Sequence, residues 1–119
     1  MQDWKKKINE RYVILLSEKA PFFLRTDYTI EEFANDLAAN RSYASRFVNE
    51  VLGMSFPTLL NKLRIAYLIR MKNENPRKTI TRLATEAGFS NVYSFRRAFY
   101  REYGITPKEY FKKHSLQDK

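Results

Sequence analysis

A chain of 119 residues with 44% hydrophobic and 15% aromatic content is long enough for one domain, or two very small ones sharing a connecting element, and is too apolar for disorder. It has no cysteine, which excludes a disulfide framework and a thiolate metal site, and no apolar run approaches the roughly 20 residues needed to cross a bilayer. The formal charge of +9 is unevenly placed: residues 1–56 hold 8 basic and 8 acidic residues, whereas residues 57–119 hold 14 and 5. An excess confined to one half points to a polyanionic partner, either nucleic acid or an acidic membrane face.

With 3 Gly and 4 Pro, helices joined by short turns are expected rather than strands. Trp4, Ile8, Tyr12 and Leu15/Leu16 recur at helical spacing, which predicts a first helix from Trp4 to about Lys19. Pro21 blocks its continuation, and Phe22, Phe23 and Leu24 are expected to pack under the next helix. Thr29 opens that helix with a Thr-x-x-Glu capping box to Glu32 and a staple of Tyr28 and Phe33; Ile30, Phe33, Ala34 and Leu37 form its buried face. Asn40 is the expected cap of a third helix, from Arg41 to about Leu52, with Gly53 as its stop. Two helices this close fit a helix-turn-helix. Ser55 caps a long fourth helix to about Asn73, in which Phe56, Leu59, Leu60, Leu63, Ala66 and Ile69 make the apolar stripe. Lys62, Arg64, Arg70 and Lys72 fall mostly off it, and Asn73-Glu74-Asn75-Pro76 breaks the helix.

The pattern then repeats. Thr29-Ile30-x-x-Phe33-Ala34-x-x-Leu37 returns 50 residues later as Thr79-Ile80-x-x-Leu83-Ala84-x-x-Ala87, and Arg46, Val48 and Gly53 match Arg97, Phe99 and Gly104 at an offset of 51. The offset grows at the turn, where the second copy has Gly88-Phe89-Ser90. A glycine there can take the left-handed conformation, and Phe89 can fill the space between helices. Ser90 reads as the cap of a helix from Asn91 to Tyr103. Thr106, Pro107 and Glu109 form a second capping box stapled by Ile105 and Tyr110, and a tail follows His114. The resulting expectation is an all-α chain of two helix-turn-helix subdomains joined by a long linker helix, with bounds 1–54, 55–74 and 75–119.

In such a unit the second helix enters the major groove and presents its N-terminal half to base edges. The candidate base contacts are therefore Arg41, Ser42, Ser45 and Arg46 in the first unit, and Asn91, Val92, Tyr93, Arg96 and Arg97 in the second. Arginine can donate two bonds to guanine, and Val92 or Tyr93 can pack on a thymine methyl. Arg96 and Arg97 are adjacent and cannot share one helix face, so at least one is expected at a phosphate or in solvent. Tyr43, Phe95 and Phe99 fall at core spacing, while Tyr93 stays open between packing and stacking on bases. Phosphate contacts are expected at the helix starts Thr79, Ser90 and Thr106 and from Lys78, Arg82, Arg101 and Lys108, although a solvated face is the ordinary reading of any single one. Catalysis finds little support. His114 is the sole histidine, no glycine-rich phosphate loop is present, and Glu31 and Glu32 suit a helix start. No enzyme activity, cofactor or metal is expected.

Three segments carry a family resemblance: Ile80-x-x-Leu83-Ala84-x-x-Ala87-Gly88-Phe89-Ser90, then Tyr93-Ser94-Phe95-Arg96-Arg97-Ala98-Phe99, then Gly104-Ile105-Thr106-Pro107-x-x-Tyr110. In spacing and residue type they resemble the DNA-binding domain of the AraC/XylS family of bacterial transcription regulators, and the resemblance spans residues 5–113. It implies about seven helices, as two three-helix subdomains bridged by the long helix, with both recognition helices in successive major-groove segments. It carries base reading onto Ser42, Ser45 and Arg46, and onto Val92, Tyr93 and Arg97. Val92 and Tyr93 stand where polar readers are common, and Ala44 where a larger aliphatic is usual, so looser packing is expected in the first unit. The expected partner is double-stranded DNA, with RNA polymerase and a sensor or dimerisation domain outside this chain as further candidates. On this reading the chain is cytoplasmic and bacterial, without membrane contact, and is either a stand-alone regulator or, as preferred here, a C-terminal piece of a longer one. The competing readings are a non-specific or architectural nucleic-acid binder and, less well supported because the apolar stripes are used by core packing, a cationic membrane-surface module.

Overall fold

The computed structural model describes residues 2–115, which form seven α-helices with no strand among them. The tail expected after His114 lies, past Ser115, outside the described residues. Two compact units divide the chain between Leu63 and Arg64, inside the fourth helix. No helix among the described residues is long and apolar enough to cross a membrane.

In the first unit, α1 (Asp3–Leu16) ends at Leu16 rather than near Lys19. The Ser17 hydroxyl donates to the Ile14 carbonyl at 2.7 Å, and the amides of Ser17 and Glu18 bond to the carbonyls of Ile14 and Leu15. Three-residue spacing tightens and closes the last turn. Phe22–Leu24 form a 3₁₀ turn that sends Phe22 and Phe23 into the core, as their position before the next helix predicts. At α2 (Ile30–Asp36) the Thr29 hydroxyl accepts from the Glu32 amide at 3.1 Å and donates to the Glu32 carboxylate at 3.3 Å. The capping box is present, with its return arm on the hydroxyl instead of the backbone amide.

α3 (Arg41–Arg46) begins with the Asn40 side chain accepting from the Tyr43 amide at 2.9 Å. It runs on as a π-helical turn, Phe47–Val51, where the Leu52 amide reaches the Phe47 carbonyl at 3.2 Å. A single regular helix to Leu52 is what apolar spacing predicts. A widened turn still buries Phe47 and Val48, so spacing alone does not distinguish the two. The core joins Ile8 and Tyr12 of α1 to Phe22, Phe33 and Phe47, with ring centroids 5.5 Å apart for Tyr12–Phe47 and 5.2 Å for Phe22–Phe33. Ala44 is fully buried in the same core.

α4 (Phe56–Glu74) starts with the Thr58 amide on the Ser55 hydroxyl at 3.3 Å. Its apolar stripe departs from the expected one. Phe56 lies 5.2 Å from Phe33 in the first unit, whereas Ile65 and Leu68 belong to the core of the second. Ala66 is exposed and Arg64 is buried, at 7% exposure. The buried positions of the helix change from one unit to the next, so a single continuous stripe does not describe it.

The second unit holds α5 (Ile80–Glu86), α6 (Val92–Tyr103) and α7 (Pro107–Ser115). Thr79 caps α5 by accepting from the Arg82 amide at 3.1 Å. The cap of α6 is Asn91, which accepts from the Ser94 amide at 2.9 Å; Ser90, expected in that role, is exposed one residue outside. Asn91 therefore repeats Asn40 at the offset of 51. At α7 the Thr106 hydroxyl accepts from the Glu109 amide and donates to its carboxylate, both at 3.1 Å. Leu83, Phe95 and Phe99 are fully buried, and Phe89 packs 5.4 Å from Phe95. The Arg64 guanidinium lies 5.9 Å from the Phe89 ring, and burial pushes its pKa down.

The two turns between paired helices share one geometry. The amides of Ala38 and Ala39 bond to the carbonyls of Asn35 and Ala34, and those of Gly88 and Phe89 to Thr85 and Ala84, at 2.9–3.1 Å throughout. Both are Schellman closures, which place one residue at positive φ. In the second unit that residue is Gly88, at φ 101°; in the first it is Ala38, at φ 54°, the sole non-glycine at positive φ among the described residues.

Candidate nucleic-acid interface

In the first unit the N-terminal turns of α3 expose Arg41, Ser42 and Arg46, with Ser45 half-buried. Arg41 pairs through Nε with Glu31 at 3.0 Å, both side chains well exposed. Arg46 is more firmly held. Its Nε donates to Glu50 at 2.8 Å, and its guanidinium lies 4.8 Å from the Trp4 ring centroid. Lys5 takes the other Glu50 oxygen at 3.0 Å. These bonds, from Arg46 first and Lys5 second, draw the Glu50 carboxyl down to about 2, and the bond to Glu50 raises the Arg46 pKa. Tyr43, expected in the core, is instead 40% exposed and rests against Trp4 at 4.9 Å. The Arg46–Glu50 spacing is legible in the sequence as a helical pair. Nothing in the residue pattern brings Trp4 to it.

In the second unit Tyr93 is 65% exposed, and both Arg96 and Arg97 are exposed. The Arg96 guanidinium lies 5.9 Å from the Tyr93 ring, and Arg97 donates through Nη2 to the Ser94 hydroxyl at 3.3 Å. Phe95 and Phe99 are core residues, as expected. Val92 is half-buried against that core, which leaves it less surface than Tyr93. Asn91 is exposed, but its side-chain oxygen is committed to the cap.

The expected phosphate contacts divide into two groups. Lys78 and Arg82 both pair with Glu86, at 3.1 and 2.9 Å, and draw its carboxyl pKa down. The same position in the first unit, Asp36, accepts from the Tyr28 hydroxyl and from Arg25 at 2.9 Å. An acid in the last turn of the first paired helix, tied to the residue before its N-cap, is thus a second repeated device with different chemistry in each copy. Arg101 and Lys108 instead join Arg96 and Arg97 around a groove of about 1100 Å³ floored by Ile80, Pro107 and Phe111. Its lining includes Thr106 at the start of α7 and, among the described residues, no carboxylate. Adjacent Arg96 and Arg97 both border this groove. Ser90 and Thr79 are exposed at the helix starts.

A helix-turn-helix domain model matches residues 33–113. The chain belongs to this family, the AraC-type helix-turn-helix domains. Among similar curated proteins is the RCS-specific HTH-type transcriptional activator RclR of Escherichia coli (strain K12), 29% identical over 83 residues that cover 70% of this chain and 29% of that protein. An uncharacterized HTH-type transcriptional regulator of Staphylococcus aureus (strain MSSA476) is 28% identical over 103 residues, covering 87% of this chain and 14% of its own. The chain thus spans less than a third of these relatives. Among solved structures, the C-terminal domain of AraT, a response regulator from Geobacillus stearothermophilus, aligns with a TM-score of 0.72 and 25% identity over 94% of this chain and 86% of that one. A DNA-binding transcriptional dual regulator from Escherichia coli K-12 has the same fold at a TM-score of 0.71 and 21% identity, over 98% and 96%. As an AraC-type domain the chain is a DNA-binding module of the transcription-regulator class, which is not an enzyme family. No cluster of three or more metal-ligating side chains occurs among the described residues.

Proposed function

We propose that this chain binds double-stranded DNA sequence-specifically to regulate transcription, with α3 and α6 each entering a segment of the major groove. The observation that carries this reading is the repeated placement of an exposed arginine, Arg46 and Arg97, in the second turn of the second helix of each pair. Arg46 and Arg97 are the principal base readers. Ser42 and Ser45 add short hydrogen-bonding contacts, Arg41 lies at the edge of the first reading surface, and Tyr93 offers an apolar face to a thymine methyl. Asn91 and Val92 contribute mainly by fixing the start of α6. The cationic groove of Arg96, Arg101 and Lys108, with the amides at Thr79, Ser90 and Thr106, supports phosphate contact. Lys78 and Arg82 contribute net charge, since their side chains are engaged by Glu86. A sensor or dimerisation domain elsewhere in a cytoplasmic regulator, and RNA polymerase, complete the proposed partners.

The test is selection of duplexes from a random pool, followed by titration of the selected and scrambled duplexes over a range of salt. A site of about two helical turns is expected, with affinity at least about a thousandfold above the scrambled duplex and falling steeply with salt. Arg46→Ala and Arg97→Ala should each weaken binding roughly ten- to hundredfold and relax preference at one or two base pairs. Equal affinity for selected and scrambled duplexes would favour the architectural reading instead.

A further inference from the structure

The side chains around Arg46 form an arrangement that DNA binding by itself does not require. Trp4 and Lys5 come from α1, Tyr43 and Arg46 from α3, and Glu50 from the π turn that follows. The Arg46 guanidinium carbon lies over the Trp4 ring, 4.8 Å from its centroid, and its Nε donates to Glu50 at 2.8 Å. Trp4 is itself backed by Tyr43 at 4.9 Å, and Glu50 by Lys5 at 3.0 Å.

We propose that Glu50 and Trp4 are positioning residues for Arg46, holding its guanidinium in one orientation so that it discriminates a single base pair. This rests on the assignment of Arg46 as a base reader. The chemistry of the fork supports it. A guanidinium that donates to Glu50 through Nε retains Nη1 and Nη2, an end-on pair that matches the two acceptors, O6 and N7, of guanine. An exposed arginine otherwise samples many rotamers and loses that freedom on binding, whereas one braced on two sides has already lost much of it. Lys5 offsets the Glu50 charge, so the carboxylate can sit near a phosphate backbone with less repulsion. Arg97 differs, since it donates through Nη2, and so engages its own reading edge, to Ser94. The braced arginine therefore reads more sharply than its repeat counterpart.

The test compares parent, Glu50→Gln, Trp4→Phe, Trp4→Ala and Arg46→Ala by fluorescence anisotropy. Each is titrated with the selected duplex and with single base-pair changes across it, and each thermal midpoint is recorded. Glu50→Gln should lower discrimination at the base pair read by Arg46 about three- to tenfold, with the other positions unchanged. Trp4→Ala should do the same, and Trp4→Phe should retain most of the discrimination because a ring face remains. Glu50 is exposed, so its variant keeps the test independent of any folding loss at Trp4. Unchanged discrimination in Glu50→Gln, with Arg46→Ala still losing it, overturns the positioning role and leaves the reader assignment intact. Equal tightening of Glu50→Gln on every duplex also overturns it, since Glu50 would then only repel phosphate or sequester Arg46. No position-specific loss in Arg46→Ala would refute the reader assignment, and the positioning role with it.

Discussion

Ala38→Gly should make this protein more stable, a result opposite to that of most glycine substitutions. Ala38 occupies the left-handed position of a Schellman closure at φ 54°, with its amide on the Asn35 carbonyl at 3.0 Å. For a residue with a Cβ that conformation costs about 1–2 kcal/mol, because the Cβ crowds the following carbonyl oxygen. Glycine removes the cost but has more freedom to lose on folding, which returns about 0.5–1 kcal/mol. Ala38 is exposed, so little packing is lost with its methyl group. The net gain is about 0.5–1 kcal/mol, or an increase of about 2–6 °C in the thermal midpoint. The matched perturbation is Gly88→Ala, at φ 101° and buried, which should destabilise by more than about 1 kcal/mol. Far-UV circular dichroism during thermal and urea unfolding measures both. An unchanged or lowered midpoint in Ala38→Gly, with an unchanged urea slope, would refute the argument that backbone strain dominates at this turn.

Three further predictions test the core, the caps and the charged pairs. Phe99→Ala should cost about 3–5 kcal/mol by urea unfolding, since Phe99 is fully buried against Phe95, Tyr103 and Tyr110, with centroids 5.7, 4.6 and 5.3 Å away. Asn91→Ala should cost about 1 kcal/mol of stability while Ser90→Ala stays within about 0.5, because Asn91 holds the Ser94 amide. The pair pK shifts set an acid limb. Glu50 has its carboxyl drawn from 4.5 to about 2, so its contribution is present above the unfolded value and is lost as pH falls through that window. Glu86 is shifted in the same direction by Lys78 and Arg82. Thermal midpoints should therefore fall as pH is lowered from about 4.5 towards 2, and Glu50→Gln should flatten part of that slope; an identical slope in the variant would refute the contribution.

Capping chemistry was legible because it is local. Thr29, Asn40, Ser55, Thr79 and Thr106 all accept from an amide three residues on, within reach of a short side chain. The misplacement at Ser90 is instructive: Ser90 and Asn91 are both good caps, and residue type does not choose between neighbours. The offset does, since Asn91 falls 51 residues after Asn40. The helix-turn-helix pairs and the buried Phe33, Leu37, Leu83 and Phe99 followed from periodicity and repetition.

What the sequence determined by itself about this protein is therefore its all-helical class, its duplication, the main helix starts and its regulator-type DNA-binding family. Each is written in residues close together along the chain or repeated at a fixed offset. Tertiary structure decided the rest. It chose which residues of α4 are buried within each unit and widened the end of α3 into a π turn. It also drew Trp4 and Lys5 from the first helix onto Arg46 and Glu50. The reason is physical. Cap hydrogen bonds and helical stripes are settled within a few residues, but the surroundings of an exposed arginine depend on what distant segments bring beside it. Local pattern could identify the arginines of the recognition helices, and only packing could show that one of them is braced.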